Sequence, residues 1–229
     1  MDLLSDAGSI PAASTNLFFS RIIRKPQSQR IRLRELVVAT ENFGKLREIE
    51  ESLQGIGVRS ISLKTLAPIP SIEEDGATFL ENAFKKARQV AQQCGRLTIA
   101  DDSGLEVDYL HGGPGVRSAR FAGEGASDAD NNRKLLRLLS DIPAAQRGAT
   151  FRCVIAIVDP QGKERWVEGE CRGVILEQAR GLEGFGYDPL FFLPDLDKTL
   201  AELPIAVKNR VSHRGRALIA LQQALKDFL

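Results

Sequence analysis

Residues 97–104 read Leu97-Thr98-Ile99-Ala100-Asp101-Asp102-Ser103-Gly104. The apolar start predicts a buried strand, and Asp-Asp-Ser-Gly is turn chemistry, so two carboxylates are expected at a strand end. Adjacent carboxylates repel unless something positive neutralises them. A hard divalent cation such as Mg²⁺ does so, and strand ends of α/β sheets are where ligands bind. The plainer alternative is an Asx turn in solvent.

Upstream, Leu36-Val37-Val38-Ala39 is a continuous apolar run, as in a strand covered on both faces. A helix follows Thr40-Glu41-Asn42-Phe43-Gly44-Lys45, its apolar stripe being Phe43, Leu46, Ile49 and Leu53. Val58 to Leu63 is a second strand. After a Pro- and acid-rich loop, Thr78 caps the next helix with Glu81 three residues on, and Glu81 can pair with Lys85.

Downstream, Gly112-Gly113-Pro114-Gly115 is a rigid loop, and Asp128 to Ser140 a helix with Leu135, Leu136, Leu138 and Leu139 inward. Thr150–Val158 and Lys163–Val174 flank Asp159-Pro160-Gln161-Gly162, an antiparallel hairpin signal. Gly-rich residues 181–189 precede a short strand, Leu190-Phe191-Phe192, and Ser212 caps a last helix. Parallel-type strands followed by a hairpin make the economical fold α/β, a mixed central β-sheet flanked by helices.

The 229 residues include 31 Lys+Arg and 30 Asp+Glu, a formal net charge of +1, with 43% hydrophobic content. That is an ordinary globular composition, enough for one large domain or two intimate lobes. Balanced charge argues against coating a polyanion, so a phosphate site must be a local cluster. Cys94, Cys153 and Cys171 are far apart without a CxxC, which suits a reducing cytosol and not a zinc site. No apolar run approaches the ~20 residues that span a membrane. Residues 1–34 are Ala/Ser/Asn-rich and then basic. Asp2 and Asp6 count against a transit peptide, so a flexible extension is expected before a folded domain over 35–229.

Four constellations carry chemistry. Thr40 to Lys45 is a strand-to-helix turn that serves as an N-cap or as an anion nest; it lacks Walker A spacing. Glu73-Glu74-Asp75 either meets a helix dipole or joins Asp101 and Asp102 around Mg²⁺. Lys86, Lys208 and Ser212-His213-Arg214 are cationic or capping groups. Phe185-Gly186-Tyr187-Asp188 is a buried aromatic turn or a surface for a planar ligand.

Together, TENFGK, EEDGATFLENAFKKA, ADDSGLEVD, GGPGVRSARF, GFGYDPLFF and SHRGRAL, in that order, resemble the Ham1-like inosine triphosphate pyrophosphatases, or XTP/dITP diphosphatases, from about Glu35 to the C-terminus. The resemblance implies a two-lobed fold with the active site in the cleft. It also implies a cytoplasmic homodimer that hydrolyses ITP, dITP and XTP with Mg²⁺ to the monophosphate and pyrophosphate. By position, Thr40, Glu41, Asn42, Phe43, Gly44 and Lys45 match the triphosphate loop. Glu74 and Asp102 match the metal-linked acids, with Asp102 as general base. Lys86, Ser103, Phe185, Gly186, Tyr187, Asp188, Lys208, His213 and Arg214 match the substrate-contacting set. Glu41 stands where the family commonly has Gly, and a carboxylate beside phosphate must point away.

Donors from Arg214 or from backbone N–H groups of 184–188 would accept a 6-carbonyl base and leave adenine unmatched. Two rivals are a regulatory nucleotide-binding module without turnover and a nucleic-acid binder using the basic N-terminal arm. Pyrophosphate release from ITP separates all three.

Overall fold

The computed structural model describes residues 34–66, 68–70 and 72–229; the expected extension over 1–34 lies, but for Arg34, outside them. Seven strands form one mixed sheet in the order β2-β1-β3-β4-β5-β6-β7. β1 (Arg34–Val38) runs parallel to β2 (Val58–Ser62) and to β3 (Thr98–Val107). β4 (Gly148–Val158), β5 (Glu164–Ile175), β6 (Phe191–Leu193) and β7 (Lys198–Thr199) continue antiparallel.

β3 departs from expectation. It runs straight through Asp101-Asp102-Ser103-Gly104, which pair with Ile155, Val154, Cys153 and Arg152 of β4. A ladder ten residues long outweighs the turn propensity of those side chains, because their charges find partners on either face.

Successive β3 residues face opposite ways. Ile99 packs in a cluster with Leu36, Val38, Ile49 and Leu218, beneath α1 (Phe43–Ser52) and α5 (His213–Ala224). Ala100 packs with Val37, Ala83 and Val90 beneath α2 (Phe79–Cys94). A third cluster, with Leu105, Val107, Leu135, Tyr187 and Phe191, gathers at the far end of β3 under α3 (Asp128–Leu138). The expected cleft therefore lies midway along β3, where these clusters meet. A short helix not anticipated, α4 (Ile205–Val211), leads into α5.

Local signals decide the helix starts. Thr78 Oγ1 accepts the Glu81 N–H at 3.1 Å, while Glu81 reaches back to the Ala77 N–H at 2.7 Å. Glu81 is thereby used, and Lys85 pairs with Asp75 instead of Glu81. Two expected core residues lie outside: Phe43 is 73% exposed and Leu138 41%. Phe43 opens α1 at the edge of the stripe made by Leu46, Ile49 and Leu53, and Leu139 takes the inward position beside Leu138. Among the described residues, no helix is long and apolar enough to cross a membrane.

Candidate active site

On the α1/α5 face, Asp101 is buried, and its Oδ2 lies 3.0 Å from Lys45 Nζ and 3.3 Å from Arg214 Nε. Burial pushes its carboxyl up, but Lys45 and Arg214 outweigh that and hold it well below the usual carboxylate range. Asp101 is therefore a fixed anion that places two cations.

On the α2 face, Asp102 Oδ2 accepts from Asn82 Nδ2 at 2.9 Å, and Oδ1 accepts the Ser103 N–H at 2.9 Å. Lys86 Nζ sits 4.0 Å from Asp102 Oδ1 and 2.8 Å from Glu74 Oε1, so both carboxylates converge on one cation position. Burial raises the Asp102 carboxyl and Glu74 adds to it, against the pull of Lys86 and Lys45. Glu74 is also desolvated, yet Lys86 brings it below its ordinary value. Asn82 holds the loop as well, through the Gly76 N–H at 2.8 Å, and Arg120 donates to the Glu74 carbonyl at 2.7 Å.

This donor set suits Mg²⁺, which takes one or two protein carboxylates and completes its shell with water and phosphate oxygens. The fuller acidic cage does not form. Glu73 is exposed, Asp75 pairs with Lys85, and no three His, Cys, Asp or Glu among the described residues are placed to hold a metal.

The aromatic part of the site rests on buried charge. Lys208 Nζ lies 4.7 Å and Arg214 Cζ 5.4 Å from the centre of the Phe185 ring. Glu48 of α1 holds both cations, with Oε1 at 2.6 Å from Lys208 Nζ and Oε2 bonded to Arg214 Nη1. Asp188 accepts from Lys208 and from the Phe185 N–H, and burial raises its carboxyl despite Lys208. Gly184, at φ +79°, must be glycine, since a Cβ would fall 2.2 Å from Asp188 Oδ2. A Cβ on Gly44 would likewise strike the Phe185 ring at 2.4 Å. Tyr187 is buried and donates to the Ser118 carbonyl at 2.9 Å, so it is part of the frame. His213 stacks on Phe151 at 4.4 Å, and burial, with Arg214 and Lys208 nearby, pushes its pKa well down.

A cavity of about 220 Å³ joins these parts. Of the residues expected from sequence, Thr40, Asn42, Lys45, Glu74, Lys86, Asp102, Ser103, Phe185, Gly186, Tyr187, Asp188, His213 and Arg214 line it. Glu41 and Phe43 are exposed and do not, nor do Gly44, beside the Phe185 ring, and Lys208, 4.7 Å from that ring's centre. The loop amides expected to read a base are largely used inside the fold: Phe185 N–H by Asp188, Gly186 N–H by Asp128 and Asp188 N–H by the Phe185 carbonyl. Arg214 spends three of its five N–H groups on Asp101, Glu48 and Ser103.

The model of the Ham1 family matches residues 36–224. This chain belongs to the Ham1 family. Among curated relatives of this Ham1 chain, the dITP/XTP pyrophosphatase of Geobacter sulfurreducens is 54% identical over 190 residues, covering 83% of this chain and 96% of that one. The dITP/XTP pyrophosphatase of Desulforamulus reducens is 52% identical over 184 residues, covering 80% and 92%. Among solved structures, a HAM1 protein from Coxiella burnetii superposes with a TM-score of 0.77 at 41% identity, covering 85% of this chain and 99% of its own.

The Ham1 site contains groups that sequence reading passed over. Glu48 was hidden among the exposed charges of α1, although it follows the inward-facing Lys45 by one turn. Asn82 sits inside the quoted stretch 73–87 without having been singled out, and Asp128 lies in none of the quoted motifs. Asp101 was read beside Asp102, and only alternation along a continuing strand separates their roles.

Proposed function

We propose that this chain hydrolyses deaminated purine nucleoside triphosphates, dITP, XTP and ITP, to the monophosphate and pyrophosphate, with Mg²⁺ as cofactor and as a homodimer in the cytoplasm. One observation carries the reading: Lys45, Lys86, Glu74 and Asp102 line the same cavity as Phe185 and Arg214. Charge handling for phosphates and a flat surface for a base thus share one space. The names of the relatives support the substrate class, and the family resemblance supports the homodimer.

A triphosphate brings about four negative charges, which must be countered before a nucleophile approaches. Lys45, Lys86 and the free N–H groups at the start of α1 supply positive potential; Asn42 caps that helix by accepting the Lys45 N–H at 3.0 Å. Mg²⁺, held by the carboxylates of Glu74 and Asp102, adds charge neutralisation when bound. Asp102 takes a proton from water as the oxygen attacks the α-phosphorus. The bond to the α–β bridging oxygen breaks, and its electron pair leaves with pyrophosphate.

At the base, Phe185 offers a face for stacking, and the two N–H groups that Arg214 has left suit a carbonyl, not the adenine amine. Incubation with dITP, XTP, ITP and ATP, with product analysis, tests the reading. The expected outcome is monophosphate plus pyrophosphate from the first three, loss of turnover on chelation, and weak action on ATP. Release of inorganic phosphate, or equal rates on ATP, would overturn it. Light scattering is expected to give twice the monomer mass.

A further inference from the structure

The geometry points to Asp128 and Asn132 as a two-point clamp on the Gly186 peptide that positions the Phe185 ring for the substrate base. This rests on the reading above, in which that ring is the base surface. The two residues are one turn apart on α3 and share a face. Asp128 Oδ2 accepts the Gly186 N–H at 2.7 Å, and Asn132 Nδ2 donates to the Gly186 carbonyl at 2.9 Å. Neither Gly186 group has a backbone partner among the described residues, whereas the neighbouring Asp188 N–H is bonded to Phe185. Without the clamp, the Gly186 N–H and carbonyl would turn to water, and Phe185 would be left with only its own backbone bonds to Asp188.

The platform is packed and hydrogen-bonded into the fold. Leu135 and Leu139 are fully buried. Asn131 accepts the Ala122 N–H at 2.7 Å and donates to the Ala119 carbonyl at 3.1 Å, tying α3 to the segment that receives the Tyr187 hydroxyl on Ser118. Ser118 Oγ in turn accepts the Leu105 N–H of β3 at 2.8 Å. Residues 186 and 187 thus hang from one frame fixed to the strand that carries Asp102. Asn132 keeps its position at a cost, because its Oδ1 is buried with no partner among the described residues. An apolar residue would remove that cost and also the donor to Gly186.

The test compares Asn132→Ala, Asp128→Ala and Asp128→Asn with the wild type. Asn132→Ala and Asp128→Ala are expected to raise KM for dITP ~10-fold, the loss of about one hydrogen bond, with kcat within about twofold. They should narrow dITP over dATP selectivity and leave inhibition by inorganic tripolyphosphate unchanged, since that probe has no base. Asp128→Asn keeps an acceptor and should stay near wild type. Hydrogen exchange of the peptide spanning 181–189 should quicken in both alanine variants. Unchanged exchange and KM, or an equal weakening of tripolyphosphate, would overturn the clamp. A wild type that cleaves none of the three deaminated triphosphates would instead overturn the substrate reading, and exchange at 181–189 would still decide the clamp.

Discussion

Asp101 and Asp102 are adjacent in sequence and face opposite sides of the sheet, one against Lys45 and Arg214, the other against Asn82 and Lys86. The pleat therefore separates a charge that holds the fold from a charge free to do chemistry.

Lys208 and Arg214, the cations beside Phe185, are both paired with Glu48, itself only 3% exposed. Removing one partner of a buried pair leaves the others uncompensated, at ~3–5 kcal/mol. Glu48→Ala is expected to lose that much in urea unfolding, with the midpoint shifting accordingly. A loss under ~1 kcal/mol would mean Lys208 and Arg214 do not depend on it.

Much of this was legible from the chain, and the failures have physical causes. Leu36-Val37-Val38-Ala39 reads as a doubly covered strand because every residue is apolar, and Thr78 as a cap because the cap is local. Asp-Asp-Ser-Gly misleads because turn propensity is local while the β4 ladder is not. Glu48 stays hidden because its partners, Lys208 and Arg214, are distant in sequence and come together only in the fold.

Arg214 has donors left and no acceptor, so it favours a carbonyl base. Arg214→Ala also leaves Glu48 and Asp101 short of a buried cation. In the fraction that stays folded, it should lower kcat/KM for ITP by ~10-fold or more, from a charge-assisted bond of ~1.5–3 kcal/mol, and lower the weak ATP activity far less. Equal losses on both would assign Arg214 to phosphate or to the fold.

Glu74→Gln should raise the Mg²⁺ concentration needed for half-maximal turnover. An unchanged metal titration would remove Glu74 from the site.

His213 is buried as the neutral ring, its folded pKa held well below 6.5 by burial first. The unfolded chain thus binds a proton that the folded one refuses, so stability is full above 6.5 and declines as pH falls below it. The melting temperature should drop on acidification from there, and His213→Gln should flatten that drop. Identical slopes would show that His213 does not contribute.

Pyrophosphate release from dITP in the presence of Mg²⁺, measured for wild type and Asp102→Asn side by side, tests the site most directly. Asp102→Asn keeps the shape and the Asn82 contact but has no carboxylate to accept a proton or hold the metal. It should fold with a near-normal melting temperature and turn over ~10²–10⁴-fold more slowly. A folded Asp102→Asn variant with wild-type kcat would contradict the assignment of Asp102 as the base.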